Sequence, residues 1–147
     1  ASGLAIVKAL RERGHQVSTV DTAAGFSPAA EEGDLLPGGV KNPDTMRQNQ
    51  GGVAFVRHFA DSGKPIAAIC HAPWMLAEAD AVRGRRVTSY PSLKTDLRNA
   101  GAEWVDEQVV EDAALVTSRD PDDLPAFCEA MVRQIAAGER TEQATSA

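Results

Sequence analysis

Only two of the 147 residues are cysteine, Cys70 and Cys128, and they stand far apart in the chain. That excludes a close-set thiolate pair for a metal and provides no disulfide framework, so both read as thiols of a reducing compartment. Basic clusters are missing too: 15 Lys and Arg against 21 Asp and Glu leave a formal charge of −6. Without a positive field to attract phosphate backbones, nucleic acid is not an expected partner. No apolar run is long enough to cross a bilayer, and the first ten residues lack the charged start and long apolar middle of a secretory signal. A cytoplasmic protein without membrane contact is the expectation. The three histidines, His15, His58 and His71, are too scattered to suggest a metal site, and none follows His71. No internal repeat is visible.

What is present suits one domain, since 43% apolar residues in a chain of this length can fill a single core. Leu4, Val7 and Leu10 recur at helical spacing before Arg13 and Gly14, and residues 17–20 read as a short strand ahead of a loop over 22–33. Leu35 and Leu36 look like the end of a buried strand running into Pro37, Gly38 and Gly39. Val53, Val56, Phe59 and Ala60 mark one face of a helix that ends at Gly63. Residues 66–70 form an apolar run of the kind buried on both faces of a parallel sheet, and residues 73–82 are helix-like. Further strands are expected over 86–89, 103–110 and 114–118, the last two joined by a turn at Glu111 and Asp112. Helices are expected over 91–100 and 121–136, with a frayed tail over 138–147. Such alternation predicts an α/β fold with a mostly parallel sheet, helices on both faces, and ligands at the carboxyl ends of the strands.

Cys70 stands at such an end. Its thiolate is a good nucleophile if unpaired N–H groups of a helix start stabilise it. His71 cannot meet it on a straight strand, where neighbours point to opposite faces, so a sharp strand-to-helix elbow is required. There the His71 N–H can face a developing oxyanion, and the open backbone of Gly38 and Gly39 can supply a second donor. Plainer readings stand beside these: a free cysteine is commonly a small buried apolar residue, His71 can be a surface or capping residue, and paired glycines usually make a turn. Trp74 and Trp104 read as packing residues before substrate platforms, although Trp74 stands close to the elbow, and Cys128 reads as a thiol on the last helix without a role.

Taken together, residues 36–39 (Leu-Pro-Gly-Gly), 68–74 (Ala-Ile-Cys-His-Ala-Pro-Trp) and 88–90 (Thr-Ser-Tyr) closely resemble the PfpI family of cysteine peptidase-like proteins. The similarity continues through residues 96–106, 116–119 and 122–125, and spans roughly residues 35 to 136 in ordered, separated motifs. The resemblance implies a flavodoxin-like three-layer sandwich over residues 1–137. Cys70 is then the nucleophile at an elbow, His71 its neighbour, and the amides of Gly39 and His71 the oxyanion hole. It also implies a homo-oligomer whose sites take a carboxylate from a neighbouring subunit. Asp44, after Pro43, is the candidate here, with a helix N-terminal acid as the plain alternative. Tyr90 falls where the family has an aromatic near the thiol. No cofactor and no metal are implied.

Two departures from the family pattern stand out. The family begins with a strand and a turn bearing a glutamate that hydrogen-bonds the sulfur, and Ala1 falls just after that position; some tens of residues that the family has between Val20 and Leu35 also lack counterparts, with the gap near residues 34–35.

The expected activity is that of a stress-related hydrolase or lyase attacking carbonyls of peptides, α-ketoaldehydes or glycated protein. The alternative is a redox sensor or holdase using the same cysteine. A class I glutamine amidotransferase shares the elbow but needs a histidine downstream of it, which this sequence does not have.

Overall fold

The structure is a computed structural model that describes residues 8, 10–14, 34–36 and 39–146, with backbone alone from residue 138 onward. The strand expected over 17–20 and the loop over 22–33 lie outside the described residues, as do His15, Pro37 and Gly38.

At the centre lies β2 (Ile66–Ile69), every residue of it buried. It pairs in parallel with β1 (Asp34–Leu36) on one side and β6 (Leu115–Ser118) on the other. The edge strand β5 (Val109–Asp112) runs antiparallel to β6, giving the order β1-β2-β6-β5. A second small sheet pairs β3 (Arg86–Val87) with β4 (Glu103–Trp104), also in parallel. Helices α1 (Lys41–Met46), α2 (Gln50–Ser62), α3 (Pro73–Glu78), α4 (Lys94–Asn99) and α5 (Leu124–Ser146) follow, with 3-10 turns over Pro91–Leu93 and Pro121–Asp123; residues 8 and 10–12 are helical as well.

Alternation along the strands divides the core into two layers. Ile66, Ala68 and Leu115 face one cluster, which holds Val56 and Phe59 of α2, Leu76 of α3 and Leu97 of α4. Ala67, Ile69 and Val116 face the other, which holds Leu10 together with Phe127, Ala130 and Met131 of α5. A sheet buried on both faces by helices is the three-layer sandwich that the pattern predicts.

Four local expectations are corrected. The single strand expected over 103–110 is two: β4, whose run ends as the Val105 N–H bonds the Val87 carbonyl at 2.9 Å, and β5 at the edge of the main sheet. The helix expected over 73–82 stops at Glu78, because Asp80 adopts a left-handed φ of 53° and the Ala81 N–H reaches the Leu76 carbonyl at 2.8 Å. That is a glycine-type helix stop made without glycine. The turn expected at Glu111 and Asp112 instead falls at Ala113 and Ala114, since Asp112 pairs opposite Leu115 and Ala113 takes a φ of 51°. A two-residue hairpin favours positive φ, and alanine gives no sign of it. The last helix runs on to Ser146 where a tail is expected, as the Glu, Arg, Gln and Ala content beyond Gly138 favours helix enough to continue past that glycine.

Replacing the exposed Ala113 by glycine removes the left-handed penalty of roughly 1–2 kcal/mol at the cost of some unfolded-state entropy. A gain of about 0.5–1 kcal/mol is expected for Ala113→Gly, read as a higher urea midpoint with unchanged slope.

Candidate active site

At the carboxyl end of β2 the chain turns abruptly. Cys70 has a φ of 64°, which costs a residue with a Cβ roughly 1–2 kcal/mol. Such strain persists only where surrounding bonds over-determine the backbone, and here they do. The Cys70 N–H donates to the Ser118 carbonyl at 3.1 Å, the Cys70 carbonyl accepts the Tyr90 N–H at 2.8 Å, and the Ala72 N–H closes the turn onto Ile69 at 3.1 Å. One bond comes from the end of β6, another from the segment after β3, and the third from β2 itself.

Both attachment points are held in turn. Beyond Ser118, the Arg119 guanidinium donates to both carboxylate oxygens of Asp123, at 2.9 and 3.0 Å, and to Asp106 at 2.9 Å. Burial pushes the Asp123 carboxyl up, but the hydrogen bonds and charge of Arg119 outweigh it, so its pKa lies below the ordinary carboxylate value. Before Tyr90, the buried Ser89 hydroxyl donates to the Tyr90 carbonyl at 2.8 Å and accepts the Trp104 indole N–H at 2.9 Å.

The turn brings together the side chains that a straight strand would separate. Cys70 Sγ, half-buried, lies 3.2 Å from His71 Nδ1. The imidazole is buried to 8% exposure, stacked on Tyr90 at 4.7 Å between ring centres and met edge-on by Trp74 at 5.3 Å. Burial lowers the His71 pKa from 6.5, which favours the neutral ring, an acceptor for a thiol proton, at neutral pH. On its far side, Nε2 faces the Ser92 hydroxyl at 3.4 Å. The main-chain N–H of His71 has no acceptor among the described residues.

Trp74 is itself braced. Its indole N–H donates to Asp96 at 3.0 Å, and the Arg47 guanidinium, paired with Glu78 at 3.1 Å, lies 5.7 Å from the ring centre. Gly39 has a φ of 100°, a conformation that favours glycine, while Gly38 falls outside the described residues. Asp44 is an exposed acid in the first turn of α1, and no carboxylate among the described residues of this chain hydrogen-bonds to His71. Cys128 is half-buried on α5, where burial pushes its thiol up, and His58 is exposed. No three His, Cys, Asp or Glu side chains gather as a metal site among the described residues, and no described helix is long and apolar enough to cross a membrane.

Sequence reasoning places Cys70, His71 and Tyr90 together. It misses Ser92, which follows Pro91 with no distinguishing pattern, and it reads the Trp74 ring first as packing, with its closeness to the elbow noted but given no role. The bracing pair Arg47 and Asp96 also gives no signal in the sequence.

The chain that forms this elbow is similar to known proteins in sequence and in fold. The family model described as the DJ-1/PfpI family matches residues 7–134. The "Protein/nucleic acid deglycase 2" of Escherichia coli strain K12 is 40% identical, over 86% of this chain and 86% of its own length. "General stress protein 18" of Bacillus subtilis strain 168 is 37% identical, over 82% of this chain and 81% of its own. In structure, the ThiJ/PfpI domain protein of Brachyspira murdochii superposes with a TM-score of 0.82 over 92% of this chain and 88% of its own, at 17% identity. The chain belongs to the DJ-1/PfpI family.

The strain at residue 70 separates two substitutions that both remove the sulfur. Cys70→Gly relieves the left-handed penalty and Cys70→Ala keeps it, so by roughly 1 kcal/mol the glycine variant is expected to be the more stable of the two. Thermal melts of both proteins check the order.

Proposed function

We propose that the chain is a cysteine-dependent enzyme that attacks carbonyl carbon in α-ketoaldehydes, their adducts on protein, or peptides, with Cys70 as nucleophile and His71 as its proton acceptor. The observation that carries the reading is the 3.2 Å contact between Cys70 Sγ and His71 Nδ1 at a backbone position held against strain. The relatives' names, a deglycase and a stress protein, support the substrate class and a stress-related role.

In this reading the thiol proton passes to Nδ1 as sulfur bonds to the carbonyl carbon and the carbonyl π pair moves onto oxygen. The free N–H of His71 faces that oxygen, with Gly39 or Gly38 as the second donor. With an aldehyde, the imidazolium returns its proton to give a hemithioacetal. With a peptide, the proton goes to the departing amine and water then releases the acyl group. Tyr90, 41% exposed and stacked on the base, is then an aromatic surface beside the reacting atoms. Asp44, exposed and without a bond to His71 in its own chain, serves the site of a neighbouring subunit, which makes a homo-oligomer the working form.

Purified protein is expected to consume methylglyoxal or deglycate a glycated peptide, with at least a ~10³-fold loss in Cys70→Ala; activity that survives this change would overturn the proposal. Because burial depresses the His71 pKa, the protonated base is lost on the way up from acid pH, at a midpoint below 6.5. The rate constant kcat/KM should therefore rise through that midpoint and level off near neutrality, and an acid limb centred above 6.5 contradicts it.

A second reading, reversible oxidation of Cys70 in a sensor or holdase, is favoured by the half-exposed sulfur. Mild peroxide followed by mass spectrometry should then find sulfenic or sulfinic acid at Cys70, and its absence removes this reading.

A further inference from the structure

We propose that Asp96 is a positioning residue for His71, acting through Trp74: its carboxylate accepts the indole N–H, holds the Trp74 ring against the imidazole, and so keeps Nδ1 turned to the Cys70 sulfur. The inference rests on the reading of Cys70 and His71 as a proton-sharing pair.

Rotation about the bond that joins a histidine ring to its Cβ is soft, with two broad minima half a turn apart. At His71 a half-turn exchanges Nδ1, 3.2 Å from Sγ, for the ring carbon Cδ2, which takes no proton. Packing on the ring opposes that rotation. Tyr90 covers the imidazole with the two planes 23° apart and the ring centres at 4.7 Å, and Trp74 meets it at 65° with centres 5.3 Å apart. Between them the residue is only 8% exposed. A carboxylate from a neighbouring subunit can meet this ring only once it is turned the right way, so the contacts within the chain come first and the partner's bond adds to them.

The two aromatic neighbours are held differently. Tyr90 is fixed by its main chain, whose N–H donates to the Cys70 carbonyl at 2.8 Å, and its side chain is largely exposed. Trp74 is fixed by its side chain. The indole N–H donates to Asp96 at 3.0 Å, a bond strengthened by the charge of the carboxylate. Asp96 stands in the first turn of α4 beside the fully buried Leu97, and Trp74 near the start of α3 beside the buried Met75. The bond therefore joins two helices whose places the core has already set. Across the ring, the Arg47 guanidinium lies 5.7 Å from the Trp74 ring centre and is paired with Glu78 at 3.1 Å. Among the described residues, Asp96 alone accepts from the indole.

Asp96 is exposed, so its replacement leaves the core intact. The deciding measurement is the rate at which iodoacetamide alkylates Cys70 in the full chain, read by mass spectrometry on the peptide holding residue 70 so that Cys128 does not contribute. Near neutral pH, Asp96→Ala is expected to react about three- to tenfold more slowly than the parent. Asp96→Asn, whose amide oxygen accepts the same bond, should stay within about twofold. In strong alkali, where thiols ionise unaided, the rates should converge. Trp74→Phe keeps an aromatic ring but has no N–H, so adding Asp96→Ala to it should change nothing further. Equal neutral-pH rates in the parent and Asp96→Ala, or the same loss on the Trp74→Phe background, would overturn the proposal. His71→Ala separates the two levels. If it is alkylated as fast as the parent, the pairing of Cys70 with His71 fails and takes this proposal with it; a slow His71→Ala beside an unchanged Asp96→Ala strikes the role of Asp96 alone.

Discussion

One backbone unit governs the site: the left-handed turn at Cys70, clamped by hydrogen bonds from Ser118 on one side and Tyr90 on the other. A strand that continued straight would send residues 70 and 71 to opposite faces of the sheet. The turn costs roughly 1–2 kcal/mol, comparable to what one or two hydrogen bonds contribute net, so the two clamping bonds are of the size needed to hold it. Because they come from different elements, the turn depends on the packing of both β6 and the segment after β3 against β2.

The rest of the fold can be ranked by how closely it supports that unit. The parallel pairing of β2 with β6 aligns Ile69 with Ser118, which carries the Ser118 carbonyl to the Cys70 amide. Arg119, Asp123 and Asp106 then fix the chain just beyond it. On the other side, the buried Ser89 and Trp104 tie the approach to Tyr90 into the small sheet. The large apolar clusters above and below the main sheet supply the stability from which this local strain is drawn.

Much of this was legible in the residues. The unbroken apolar run Ile66–Ile69 announces a strand buried on both faces, and the helical spacing of Val53, Val56, Phe59 and Ala60 announces the helix beside it. Cys70 and His71 stand out because a reactive pair at a strand end has a chemical meaning that a pattern can carry. Features made by left-handed alanine and aspartate did not announce themselves, since glycine or asparagine is the usual marker of such turns. That is why the helix stop at Asp80 and the hairpin at Ala113 were displaced from expectation. Ser92, Arg47 and Asp96 were silent for another reason: each meets its partner through tertiary contact between elements distant in sequence, which no local spacing encodes.

Nucleophile and base are consecutive links of the chain, so their meeting requires almost no loop-closure entropy. Dyads assembled from remote segments are vulnerable to every insertion, deletion or hinge between the partners; here no segment intervenes. Changes in loop length elsewhere reach the pair only through the bonds that hold the turn, and the distance between sulfur and ring is set by that turn and by the side-chain torsions of the two residues.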